Sequence, residues 1–292
     1  MNIVGLGNAG CAIADALSRY PQYTIYKIDT GLEGDFDFID GYDEEQRASK
    51  SFSLEEQDSP EDYESSTPSM KAFFCDIKDK DEVVFIVAGG SKIAAASLAI
   101  LEHLRKCKIT ILYIKPNLDT LEDVKIRMHR VCFGVLQEYA RSAVFERFVV
   151  VDNDVVENVL GDVPIIGYYD KLNELISWVF HMLNVLKNSD PIMGSISETK
   201  ETSRISTFGT VDFDNDEEKL LFSLDNIREK GYFYLLKGED LKSSGNLLKR
   251  ISQQVKDLEE EDARSSFAIY SSDYDQNYVF CMAHTPYIQR SN

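Results

Sequence analysis

The chain has 292 residues, 43% hydrophobic and 28% charged, enough for one large or two medium domains with a real core, and no apolar run is long enough to cross a membrane. A formal net charge of −19 repels polyanions and argues against direct nucleic-acid binding. Five scattered cysteines without a CxxC pair point to a reducing compartment and away from structural zinc, and no basic region precedes the first strand, so no signal peptide is read.

In chain order, Met1 to Val4 reads as a short buried strand, Gly5-Leu6-Gly7-Asn8-Ala9-Gly10 as a glycine turn, and Cys11 to Leu17 as a helix. The spacing is G-x-G-x-x-G between strand and helix. Glycines admit a phosphate to the backbone, and a helix N-terminus offers free N–H groups and positive dipole. The competing reading is a turn whose glycines serve packing alone. Tyr23 to Ile28 forms a second predicted strand, ending at Asp29 and Thr30. The acidic stretch 33–64, from Asp35 through Glu44 and Asp58 to Glu64, reads as a solvated insertion or mobile loop. Val83 to Ala88 is a fully apolar run and so a central strand.

Gly89-Gly90-Ser91-Lys92 makes a second glycine turn, opening a predicted helix over 93–106. Ile109 to Ile114 is the next strand, Lys115-Pro116-Asn117 a turn, 119–142 a helix and Phe148 to Val151 a strand, followed by Asp152-Asn153-Asp154 as a helix cap. This alternation predicts a parallel α/β sheet with ligand loops at 5–11, 29–31, 88–92 and 115–119. A long helix over roughly 168–187 follows, its apolar stripe running from Leu172 to Leu186. Beyond it, strands are predicted at 204–211, 219–224, 232–236, 266–271 and 277–283, with a helix over 241–258. The fold class is α/β, comprising a parallel-sheet nucleotide-binding domain over 1–168, a central connecting helix over 169–188 and a smaller α+β C-terminal domain over 189–292.

Two chemistries compete for the glycine loops. The first is an NAD(P)- or FAD-dependent oxidoreductase, with Asp29 placed to hold a ribose hydroxyl. It lacks an acid–base pair for hydride chemistry, because His103, His129, His181 and His284 are isolated and read as surface or packing residues.

The second rests on a family pattern. Gly7-Asn8-Ala9-Gly10-Cys11-Ala12-Ile13 resembles the first nucleotide loop of tubulins, and Gly89-Gly90-Ser91 the start of the G-G-G-T-G-[ST]-G signature of the tubulin and FtsZ superfamily. Lys115-Pro116 with Asp123 and Arg127 resembles the loop and helix of FtsZ that reach ribose and base. Asp152-Asn153-Asp154 is similar to the segment at the guanine edge, and Ile165 to Glu174 to the start of the central helix. The resemblance covers nearly the whole chain. It implies a divergent, phage- or plasmid-type tubulin-like protein that binds GTP or GDP, with Mg2+ as an optional companion. Gly7, Asn8, Ala9, Gly10, Cys11, Gly89, Gly90 and Ser91 would hold phosphates, and Lys92 would pair with the γ-phosphate or stay an ordinary exposed lysine. Asp123 or its neighbour Glu122 would meet the ribose, Arg127 the ribose and base, Asn153 and Asn173 the guanine edge, and Tyr169 or its rival Tyr168 the guanine face.

The signature is only half kept, since Lys92, Ile93, Ala94 and Ala95 replace its remaining residues. In this family one subunit hydrolyses GTP with acids from its neighbour, in an N-x-D-x-x-[DE] pattern that is missing here. Glu198 and Glu201 keep the three-residue spacing but sit displaced by about two positions; either they are the working acids or the site is degenerate, and hydrolysis is expected to be weak or lost. The resemblance implies head-to-tail self-assembly into filaments or rings, in the cytoplasm of a bacterial or phage-infected cell. No membrane partner is expected, because no basic or apolar tail follows the last strand. A non-polymerising nucleotide-binding scaffold of the same fold is the alternative.

Overall fold

Strand β1 (Asn2–Leu6) is buried from Ile3 onward and runs straight into helix α1 (Gly7–Ser18). The computed structural model describes residues 1–32 and 49–291. It divides into two compact units, Met1–Ser177 with the chain end from Arg290, and Trp178–Gln289.

In the first unit, β2 (Thr24–Thr30), β3 (Ser49–Leu54), β4 (Glu82–Ala88), β5 (Lys108–Lys115) and β6 (Arg147–Asp152) join β1 in a sheet of order β3-β2-β1-β4-β5-β6. Every pair is parallel. β4 and β5 are buried along nearly their whole length, which explains why both read as unbroken apolar runs. All carboxyl ends point to one edge, where the connecting loops gather.

Helix α2 (Pro60–Ser66) follows β3; residues Lys92–Ala96 form a 3-10 turn that leads into α3 (Ser97–Glu102). Helices α4 (Asp123–Arg141) and α5 (Asn153–Leu160) follow β5 and β6, and α6 (Tyr168–Lys187) leads out of the unit.

The acidic stretch is corrected where it is described. Residues 33–48 lie outside the described residues, but 49–54 pairs in register with β2 and 60–66 is helical. Ser59 caps α2 by accepting from Asp62 N at 3.1 Å, Pro60 sits at its start, and Glu61 and Asp62 occupy its first turn, where the dipole favours acids. Tyr63 anchors the helix at 5% exposure, and Phe52 of β3 packs edge-on against Phe73.

The second unit holds β7 (Met193–Ser195), β8 (Ile205–Val211), β9 (Glu218–Leu220), β10 (Glu229–Lys237), α7 (Gly238–Ser243), α8 (Leu247–Asp257), β11 (Arg264–Ser272) and β12 (Tyr278–Thr285). Its strands run β8-β12-β10-β11-β7, with β9 on β8. Only β10 and β11 are parallel, so this unit is α+β in character. Its core gathers Tyr232, Tyr234, Leu236, Ile251 and Cys281.

Three further expectations change. The helix predicted over 241–258 breaks into α7 and α8, because Ser244, Gly245 and Asn246 interrupt it with poor helix formers. The strand predicted over 219–224 shortens to Glu218–Leu220, although Leu221, Phe222 and Leu224 stay buried in the turns that follow. The helix predicted over 93–106 ends at Glu102, where His103 and Leu104 switch to bonds three residues back.

Candidate nucleotide site

The loop after β1 is shaped by close approach. A Cβ on Gly10 would lie 2.5 Å from the Ile86 carbonyl oxygen of β4, and one on Gly5 would collide with the Gly10 carbonyl. Glycine at both positions therefore seats α1 directly on the sheet. Gly7 turns the chain at φ +70°, a left-handed conformation that side chains resist. An α-helix leaves its first N–H groups without intrahelical partners, here those of Gly7, Asn8 and Ala9. No side chain caps this end and no acid lies in its first turn, so its positive dipole is not offset.

Cys11 lies under the loop. Its thiol points at the Gly5 and Ile28 carbonyls at 3.5 and 3.6 Å, and burial followed by the Asp29 charge pushes its pKa to about 12. That is a packing thiol, not a nucleophile. Asp29, at the end of β2, has its pKa raised by burial against a hydrogen bond from Thr30 N at 2.8 Å.

The second glycine turn leaves β4 at the same edge. Gly90 is buried at φ +83°, and Ser91 and Lys92 are exposed at the start of the 3-10 turn, which no side chain caps. Gly89 rests on a buried pair that the sequence did not reveal. Its Cβ would fall 2.5 Å from His129 Nδ1, which lies 2.8 Å from Tyr113 Oη. His129 is fully buried, and desolvation, then Lys115 and Arg130, depress its pKa to about 4. The usable signal was its register, since 129, 133, 136 and 140 share the buried face of α4. His181 and His284 are also buried, so the surface reading of the histidines holds only for the partly exposed His103.

β5 and β6 complete the edge. Lys115 pairs with Asp152 at 2.6 Å, with side-chain exposures of 12% and 9%. Burial raises the Asp152 pKa, and Lys115 opposes it. Asp152 also caps α5 through Asp154 N at 3.1 Å, and Asn117 Nδ2 donates to Asp154 at 3.2 Å, tying the two loops together. Asn153 Oδ1 is buried and accepts no hydrogen bond among the described residues. Asp123 and Arg127 lie exposed on the first turns of α4. At the start of α6, Tyr169 is 65% exposed, whereas Tyr168 is tied through its hydroxyl to Glu157 of α5. Asn173, one turn on, is 8% exposed.

Glu198 and Glu201 belong to the second unit. Both side chains are exposed, on a segment between β7 and β8 that has no helix. The segment is held from beneath by Glu229, whose carboxylate accepts from Lys200 N at 3.2 and 3.1 Å and from Ser203 Oγ at 3.3 Å. Arg264 donates to the Glu198 carbonyl at 2.9 Å.

Solved structures that share this fold include the empty FtsZ dimer of M. jannaschii, at TM-score 0.70 and 14% identity over 97% of this chain and 87% of that one. A GTPγS-bound protofilament of CetZ2 from Haloferax volcanii aligns at 0.67 and 12%, over 97% and 92% of the two chains. A GTPγS-form protofilament of TubZ from Bacillus thuringiensis serovar israelensis aligns at 0.63 and 15%, over 97% and 85%. No protein-family model and no curated protein sequence matches the chain. The fold is that of tubulin and FtsZ. At identities of 12–15% the likeness to FtsZ, CetZ2 and TubZ is one of fold.

Proposed function

We propose that this chain binds a guanine nucleotide at the carboxyl edge of its parallel sheet and assembles head to tail, with hydrolysis weak or lost. The observation that carries the reading is the N-terminus of α1. It is uncapped, free of acid and opened by a left-handed glycine, an anion cradle in a chain of net charge −19. Gly7, Asn8 and Ala9 offer N–H groups to phosphates, with Gly10 and Cys11 packing beneath them; Gly89, Gly90, Ser91 and Lys92 form the second cradle. Guanine fits the base position because its Watson–Crick edge presents two adjacent donors, and Asn153 Oδ1 is a spare acceptor. Tyr169 supplies a free ring face, with Asn173, Asp123 and Arg127 completing the ribose and base contacts. Mg2+ would accompany the phosphates.

Self-assembly is supported by the fold shared with protofilament structures of TubZ and CetZ2. For the role, a plasmid- or phage-type one in the cytoplasm, the support is the likeness to TubZ, which one structure describes as a type III plasmid segregation protein. Glu198 and Glu201 would act on the nucleotide of a neighbouring copy; their departure from the family spacing supports weak turnover. Among the described residues no helix is long and apolar enough to cross a membrane.

The test is mass spectrometry of the nucleotide released from purified protein, followed by light scattering with and without GTP. GTP or GDP in the released fraction and GTP-dependent scattering are expected. Bound NAD or FAD would overturn the nucleotide assignment, and flat scattering at high protein concentration would overturn assembly.

A further inference from the structure

Helix α4 is apolar on two sides. His129, Phe133, Leu136 and Ala140 are buried in the first unit. On another side, Val124, Val131, Val135 and Tyr139 are 61%, 66%, 37% and 40% exposed. With the half-buried Met128 they recur at intervals of four, three, four and four residues, the spacing of a seam that receives another helix. A surface helix normally turns charge outward, and an apolar ridge of this length marks a contact.

The ridge borders a cavity of about 330 Å³ between α2, the segment 91–98 and α4. Ala94, Leu98, Met128, Val131, Val135 and Leu136 make its apolar walls. Its rim is charged with opposite signs, Glu61 and Glu64 from α2 facing Arg127 of α4. No ion pair among the described residues engages Glu61, Glu64, Arg127 or Arg130. Within α4, Lys125, Arg127, Arg130 and Arg141 outnumber Asp123 and Glu138, so the helix is a basic island in a strongly acidic chain.

We propose that this face is an interface between two copies of the chain, the α4 ridge of each lying in the groove beside α4 of the other. A two-fold axis would set the bases of one copy against Glu61 and Glu64 of the second, so both halves of the charge match are already encoded on one surface. An unrelated partner would need to supply an apolar seam and acids of its own; a second copy supplies both. One helix in one groove lies at the small end of the range for stable interfaces, on the order of 1,200 Å² in total. The pair is therefore weak alone and gains strength where copies are arrayed in register, as in filaments joined side by side. The inference goes beyond head-to-tail assembly, and because Ser91 and Arg127 line this groove and also belong to the proposed nucleotide site, it is tested on nucleotide-free protein.

Sedimentation velocity of the full chain, at low and high salt, tests it. Wild type is expected to dimerise in a concentration-dependent way that salt weakens. Val131→Glu with Val135→Glu, both at exposed positions, should raise the dissociation constant about tenfold or more. Arg127→Glu should weaken the dimer by about tenfold, and adding Glu61→Arg and Glu64→Arg should restore it. That restoration is unavailable to a foreign partner. A wild type that stays monomeric at low salt and high concentration overturns the proposal, as does a glutamate pair at 131 and 135 that dimerises like wild type, or a charge swap without rescue. The two readings separate cleanly. A dimer that persists without GTP-dependent scattering leaves this interface standing and sinks head-to-tail assembly. Filaments whose lateral pairing ignores Val131→Glu with Val135→Glu do the reverse.

Discussion

Lowering the pH from 7 to 5 should destabilise the first unit through His129. The imidazole is fully buried, lies 2.8 Å from Tyr113 Oη, and has its pKa depressed from an ordinary 6.5 to about 4 by desolvation, then by Lys115 and Arg130. A depressed histidine is neutral in the folded state, so its contribution is fully present above 6.5. It is lost as pH falls through 6.5 toward 4, because only the unfolded chain takes the proton. At pH 5 the loss is about 1.5 pH units' worth, roughly 2 kcal/mol, with a ceiling of about 3 kcal/mol near pH 4. The assay is urea unfolding of wild type and His129→Gln at both pH values. The many carboxylates contribute equally to both proteins, so the difference between the two pH dependences isolates His129. The variant is expected to lose about 2 kcal/mol less than wild type on acidification. Equal losses would refute the assignment of a buried neutral imidazole.

Gly10→Ala should cost about 1–3 kcal/mol in chemical denaturation and weaken GTP binding, because its Cβ would sit 2.5 Å from the Ile86 carbonyl and lift α1 off the sheet; unchanged stability would sink the close-approach argument. Lys115→Met should cost about 3–5 kcal/mol by stranding the buried Asp152 carboxylate, and a loss below about 1 kcal/mol would mean the pair is hydrated. Tyr169→Ala should weaken GTP binding about tenfold in a fluorescence titration while Tyr168→Phe leaves it near wild type; the reverse order would exchange their roles. Glu198→Ala with Glu201→Ala should abolish whatever GTP turnover wild type shows and preserve GTP binding, and unchanged turnover would remove both from the chemistry.

The elements most legible in the sequence are those with one strong pattern. α6 runs Tyr168–Lys187 as its stripe indicates, and β4 and β5 follow their apolar runs. β3 and α2 hide in the acidic composition of the stretch, yet all four residues of Ser59-Pro60-Glu61-Asp62 are helix-start signals. β7 is three exposed residues whose pairing with β11 depends on long-range register, which no local pattern carries. In the candidate site, glycine spacing marks the turns after β1 and β4. It could not reveal that Gly89 is dictated by Tyr113 and His129, partners supplied by a neighbouring strand and a later helix.

That support beneath the loops bears on how relatives should be read. Gly5, Gly10 and Gly89 are required by backbone and side chains packed under them, whether or not a ligand lies above. A lineage that abandoned the nucleotide would still be held to these three glycines by selection on folding alone. Asn8, Ser91 and Tyr169, exposed above the same framework, would be free to drift. Divergence rates at those exposed positions, and not retention of the glycine spacing, are the record of whether a relative of this chain carries a ligand.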